Sequence, residues 1–99
     1  MDIYLELQKK QEQLNTSIKS LRQTSLEYAE AYKLYRVALA KELVRLKEQG
    51  TPATLTYDIA RGNENIAQLK FNEITTEAIY KANMESINVL KLEIKIGVS

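Results

Sequence analysis

The chain has 99 residues, with 14 Lys and Arg against 13 Asp and Glu, a formal charge of +1, and neither cysteine nor histidine. Those absences exclude disulfide staples, zinc centres built from Cys or His, and nucleophile–imidazole pairs. The charge balance lacks the basic excess of most nucleic-acid and anionic-membrane binders. A chain this short buries only about two-thirds of its unfolded surface, so a thin core and a homo-oligomer are expected.

Met1-Asp2-Ile3-Tyr4-Leu5-Glu6-Leu7 has early acids and no apolar run of signal-peptide length, and no stretch approaches the roughly 20 apolar residues of a membrane span. With no cysteine, this reads as a cytoplasmic protein that neither enters nor crosses a membrane. From Leu14, apolar and small residues recur at Ile18, Leu21, Ser25, Tyr28, Tyr32, Tyr35, Leu39 and Leu46, the four-three spacing of a helical seam. No Gly or Pro precedes Gly50, and the many Ala, Leu, Lys, Glu and Gln favour helix. The spacing therefore predicts a first helix over about 3–49. Leu34, Val37, Ala38, Ala40, Leu43 and Val44 widen its apolar face beyond what one neighbour covers.

Gly50-Thr51-Pro52 stops that helix, since Gly adopts the left-handed cap and Pro cannot continue the ladder. The connection spans 50–62, where Thr54 to Arg61 suit a short turn of helix closed by Gly62, and Asn63 caps the next helix. A second helix follows over about 63–96. Its expected stripe is Ala67, Phe71, Ile74, Ala78, Ala82, Val89, Leu92 and Ile96, widened by Ile66, Leu69, Ile79, Ile87, Leu90 and Ile94. Residues 90–96 also alternate apolar and charged with period two, as do residues 3–7, so a two-stranded ribbon there competes with helix. Helix is expected, because an isolated strand pair is marginal in water. The fold class is all-α: a long antiparallel, coiled-coil-like helical hairpin in one domain, self-associating into a bundle.

Tyr28, Tyr32 and Tyr35 stand on one face of the first helix, and with Leu39, Phe71 and Ile74 they are the candidate oligomer interface. Filling the helix–helix core is the plainer role for such rings. The connection carries Tyr57, Asp58 and Arg61, a denser mix of aromatic and charged groups than a reversal needs, and these are the candidate partner-binding residues. The competing reading has Leu55, Tyr57 and Ile59 plug the end of the bundle. Lys33, Arg36, Lys41, Arg45 and Lys47 make a basic stretch, interleaved with Glu30, Glu42 and Glu48 as on a solvated face. Glu73 and Glu77 form the one tidy carboxylate pair, read as surface charge. Asp58 and Asn63-Glu64-Asn65 match no calcium loop, so no metal and no cofactor is expected.

Tyr28-Ala29-Glu30-Ala31, Val37-Ala38-Leu39-Ala40-Lys41, Gly50-Thr51-Pro52-Ala53-Thr54, Asp58-Ile59-Ala60-Arg61-Gly62 and Ile87 to Ile94 together resemble small helical proteins of Gram-positive bacteriophages and prophages. The resemblance runs over most of residues 14–94. It implies a viral origin, a setting in the host bacterial cytoplasm, and genes from early regions near replication and recombination functions; it transfers no functional residues. A secreted helical-hairpin family with a Trp-X-Gly turn is similar in plan, but Ala60-Arg61-Gly62 stands there and the chain has no Trp. The function expected is a non-catalytic protein–protein interaction protein. It acts as an adaptor in phage replication or recombination, or as an inhibitor of a host defence protein. The alternative is a nucleic-acid-binding accessory protein using the stretch from Lys33 to Lys47.

Overall fold

A computed structural model describes residues 2–97 of the chain. They form an all-α helical hairpin: α1 (Ile3–Glu48), α2 (Ala53–Gly62) and α3 (Glu64–Lys95), with no strand among the described residues. Residues 3–7 and 90–95 are helical, so the period-two alternation at both ends yields to helix.

The helix boundaries follow local chemistry. The Asp2 carboxylate accepts the Leu5 amide at 3.2 Å, closing one orphan donor at the start of α1. At its end Gly50 takes φ +83°. The Thr51 amide donates to the Leu46 carbonyl and the Gly50 amide to that of Lys47, both at 3.1 Å. This is the paired capping pattern that a left-handed glycine permits. Pro52 precedes α2, and its carbonyl accepts both the Leu55 amide at 2.9 Å and the Thr56 hydroxyl at 3.0 Å. The connection thus holds a ten-residue helix, longer than the short turn expected from its sequence. Gly62 is its last residue and has no left-handed φ, so the reversal there rests on Asn63 in an extended conformation. The Asn63 side-chain oxygen accepts the amides of Asn65 (2.9 Å) and Ile66 (3.2 Å), which starts α3.

The chain divides into two compact units. In the first, Met1–Leu26 with Glu77–Ser99, Leu14, Ile87 and Leu90 form the core with Leu21 and Ile94 packed against it. The Lys10 ammonium meets the Glu93 carboxylate at 2.8 Å, and the Asn83 side-chain amide donates to the Ser17 carbonyl at 3.0 Å, so α1 and α3 run antiparallel here. In the second unit, Glu27–Thr76, Tyr35, Leu39, Leu46, Ala60 and Ile66 form the core, with Ala38, Leu43 and Leu69 beside them.

The inward faces differ from the expected ones in phase. Within the first unit α1 turns Leu7, Lys10, Leu14, Ser17, Leu21 and Thr24 inward, in strict three-four alternation. Ile18, expected in the seam, is 48% exposed. Within the second unit Tyr28, Ala31 and Tyr35 continue the inward row, whereas Tyr32 is 46% exposed. Small side chains at Ser17, Thr24, Ala31 and Ala38 occupy alternate seam positions. A reader of hydropathy selects their bulkier neighbours instead.

The shift is larger on α3. Its inward residues are Ile66, Leu69, Glu73 and Thr76 in the second unit, and Tyr80, Asn83, Ile87, Leu90 and Ile94 in the first. The stripe expected to be buried, Ala67, Phe71, Ile74, Ala78, Ala82, Val89, Leu92 and Ile96, is exposed along its whole length. Of the residues expected only to widen it, all but the exposed Ile79 face inward.

Candidate functional site

α2 presents the predicted recognition residues to solvent. Of its ten residues only Ala60 is buried, at 0% exposure, and it alone anchors the helix in the core of its unit. Leu55, Tyr57 and Ile59 are exposed, so they do not plug the end of the hairpin. Asp58 and Arg61 are exposed as well. The Arg61 guanidinium lies 5.2 Å from the Tyr57 ring centre, one turn apart on the helix. Such a cation–π pair at an exposed site contributes about 0.5–1 kcal/mol. Replacing Tyr57 and Arg61 together by Ala is therefore expected to change thermal stability by no more than about 1 kcal/mol. A larger loss in a thermal melt would assign these side chains to the core.

Beside them, Tyr35, Arg61, Ile66, Ala67 and Lys70 line a concavity of about 380 Å³ in the second unit. The Lys70 ammonium sits 4.8 Å over the Tyr35 ring and 2.9 Å from the Glu73 carboxylate. Glu73 is buried and Glu77 half-buried, with Glu77 held by Lys81 at 3.1 Å. Surface charge therefore misdescribes Glu73, which occupies an inward position of α3. Each carboxylate is engaged by a lysine on its own helix.

The candidate oligomer residues separate into two groups. Tyr35 and Leu39 are core residues of their unit and Tyr28 is half-buried, its ring packed edge-on against that of Tyr32 at 6.4 Å. Tyr32, Phe71 and Ile74 face solvent, Phe71 at 60% exposure. The basic stretch of α1 is exposed at Lys33, Arg36, Lys41, Arg45 and Lys47. Arg45 makes a two-pronged ion pair with Glu42, its Nε donating at 3.0 Å. That hydrogen bonding holds the Glu42 carboxyl below its usual range and raises Arg45. Residues 27–76 carry seven Lys and Arg and seven Asp and Glu, so the stretch sits in a unit of no net charge.

In the first unit a groove of about 830 Å³ runs between α1 and α3. Ala82, Val89 and Leu90 supply its apolar lining, and Glu12, Glu85 and Glu93 face a single Lys9. Sequence reasoning missed this groove and the polar cluster of Ser17, Thr24 and Asn83. The available signal was Asn83 standing in the row through Ile66, Leu69, Ile87, Leu90 and Ile94, a row that ranked second on hydropathy. Among the described residues no group of acids could hold a metal ion, and no helix is long and apolar enough to cross a membrane. Compared with protein families, with curated proteins and with solved structures, the chain matches none.

Proposed function

We infer that the protein is a non-catalytic protein-binding module whose working surface is the outward face of α3. The observation that carries this is the second apolar row on a helix that already spends one row on the hairpin: Phe71 and Ile74 in one unit, Val89, Leu92 and Ile96 in the other. Isolated exposed apolar residues are ordinary, but a row at helical spacing marks a contact surface. The half-exposed Tyr57 and the Arg61 beside it add aromatic and guanidinium groups of the kind that dominate interface energetics. Self-association and a role as adaptor or inhibitor in a phage-infected cell belong to this reading, the latter on the resemblance alone. The absence of net charge over residues 27–76 favours a protein partner over nucleic acid.

Leu92→Asp and Phe71→Asp test it singly. Both positions face solvent, so each variant is expected to keep its helical circular dichroism and, at concentrations where the parent is monomeric, to melt within about 0.5 kcal/mol of it. Each is also expected to weaken association, read as solution mass by light scattering and as capture of protein from bacterial lysate. Two variants that associate as the parent does would dismiss the outward face as the working surface.

A further inference from the structure

We propose that the outward face of α3 in the unit Met1–Leu26 with Glu77–Ser99 packs against the same face of a second copy of this chain, with the two helices antiparallel. The proposal rests on the protein-binding reading and names the partner for one part of that surface. The occupant is helical because the exposed row Ala78, Ala82, Glu85, Val89, Leu92 and Ile96 keeps the four-three spacing of a helix-pairing seam. It is this chain's own α3 because that row is graded in size. Small side chains stand at Ala78 and Ala82, large ones at Val89, Leu92 and Ile96, the last one residue past the end of α3, where its amide still donates to the Leu92 carbonyl at 3.0 Å. In an antiparallel pair centred on Ile87, Ala78 lies level with Ile96 of the second copy, Ala82 with its Leu92, and Glu85 with its Val89. Every layer then sets a small or solvent-reaching side chain against a large one. A parallel pair would set alanine on alanine and leave voids at one end.

Area agrees and charge does not oppose the pairing, since residues 77–96 carry Lys81, Lys91 and Lys95 against Glu77, Glu85 and Glu93. The chain exposes 7401 Å², against about 5,800 Å² for a compact folded monomer of its 11.4 kDa mass. That excess of about 1,600 Å² leaves ample surface for the roughly 800 Å² per chain that a standard interface covers.

Because the natural chain contains no cysteine, engineered thiols report the pairing directly. Ala82→Cys and Leu92→Cys are made as separate proteins of different tag length, mixed, equilibrated and oxidised. The expected product is the mixed disulfide, at least about tenfold over either self-linked product, because bridging requires Cα atoms within about 7 Å. Circular dichroism of both variants checks that they remain folded. Self-linked Ala82→Cys dimers in excess would overturn the antiparallel arrangement. A parent protein of 11.4 kDa by light scattering at tens of micromolar would overturn the second copy as occupant. If that monomer still loses a captured protein on Leu92→Asp, the protein-binding reading stands without the dimer. If Leu92→Asp changes no association at all, both fail.

Discussion

Leu39→Asp unfolds the protein or removes most of its stability, whereas Ile18→Asp leaves the melting temperature nearly where it was. Leu39 is 5% exposed and packs in the core of the second unit with Leu46, Ala60 and Ile66. A carboxylate there would stand in the cluster of Tyr35, Leu46, Ala60 and Ile66, and an uncompensated buried charge costs roughly 3–5 kcal/mol. That is a large part of the whole stability of a domain this small. Ile18 belongs to the same four-three row on hydropathy, yet it points to solvent in the first unit, where an acid costs about 0.5 kcal/mol or less. Chemical denaturation of the two variants decides the phase of α1. Equal losses would return Ile18 to the seam and rotate the helix by about one residue.

The second large effect lies at Asn83. Its side chain spans the hairpin inside the first unit, donating to the Ser17 carbonyl at 3.0 Å and accepting the Thr24 hydroxyl at 2.9 Å. The Thr24 hydroxyl also has the Leu21 carbonyl of its own helix at 3.3 Å. Asn83→Ala is expected to cost about 1–3 kcal/mol, the loss of two part-buried hydrogen bonds and of the packed side chain. Thr24→Val with Asn83→Leu should recover most of that loss, because two apolar groups of similar volume replace the polar pair together. What the double variant should lose is uniqueness of register, since a polar residue in an apolar seam favours the one alignment that satisfies it. Amide exchange in the first unit reads that loss as lower protection at unchanged or higher melting temperature. A double variant no more stable than Asn83→Ala would show that restored packing recovers nothing and that the hydrogen bonds themselves carry the loss.

Much of the hairpin was legible because its signals are local. The stop at Gly50-Thr51-Pro52 needs only the conformational freedom of one glycine and the missing donor of one proline, and the cap at Asn63 needs only its own side chain. Helix at both ends of the chain also followed, since an exposed strand pair has nothing to stabilise it. α2 was half legible. Residues 54–61 suited a helical turn, but the exposure of Leu55, Tyr57 and Ile59 depends on how Ala60 enters the core, which no local pattern records. Composition left Tyr57 open between exposure and a plug at the end of the hairpin, and its stacking with Arg61 follows from their spacing of four.

By itself the sequence determined that this chain is helical, where its helices stop, and that α3 carries more apolar surface than one neighbour covers. Tertiary structure decided which surface is which. On α3 the two apolar rows have nearly the same spacing and are offset by about two residues, which sets them on nearly opposite sides of the helix. Periodicity sees both, and hydropathy prefers the row with Phe71, Leu92 and Ile96 over the one interrupted by Glu73, Thr76, Tyr80 and Asn83. The hairpin takes the interrupted row. There Asn83 finds Thr24 and the Ser17 carbonyl, Lys70 and Tyr35 accompany Glu73, and Ile87 and Leu90 share a core with Leu14 of α1. Thr24 and Ser17 are 59 and 66 residues from Asn83, and Tyr35 stands on α1, so the choice depends on contacts that exist only after the chain has folded back.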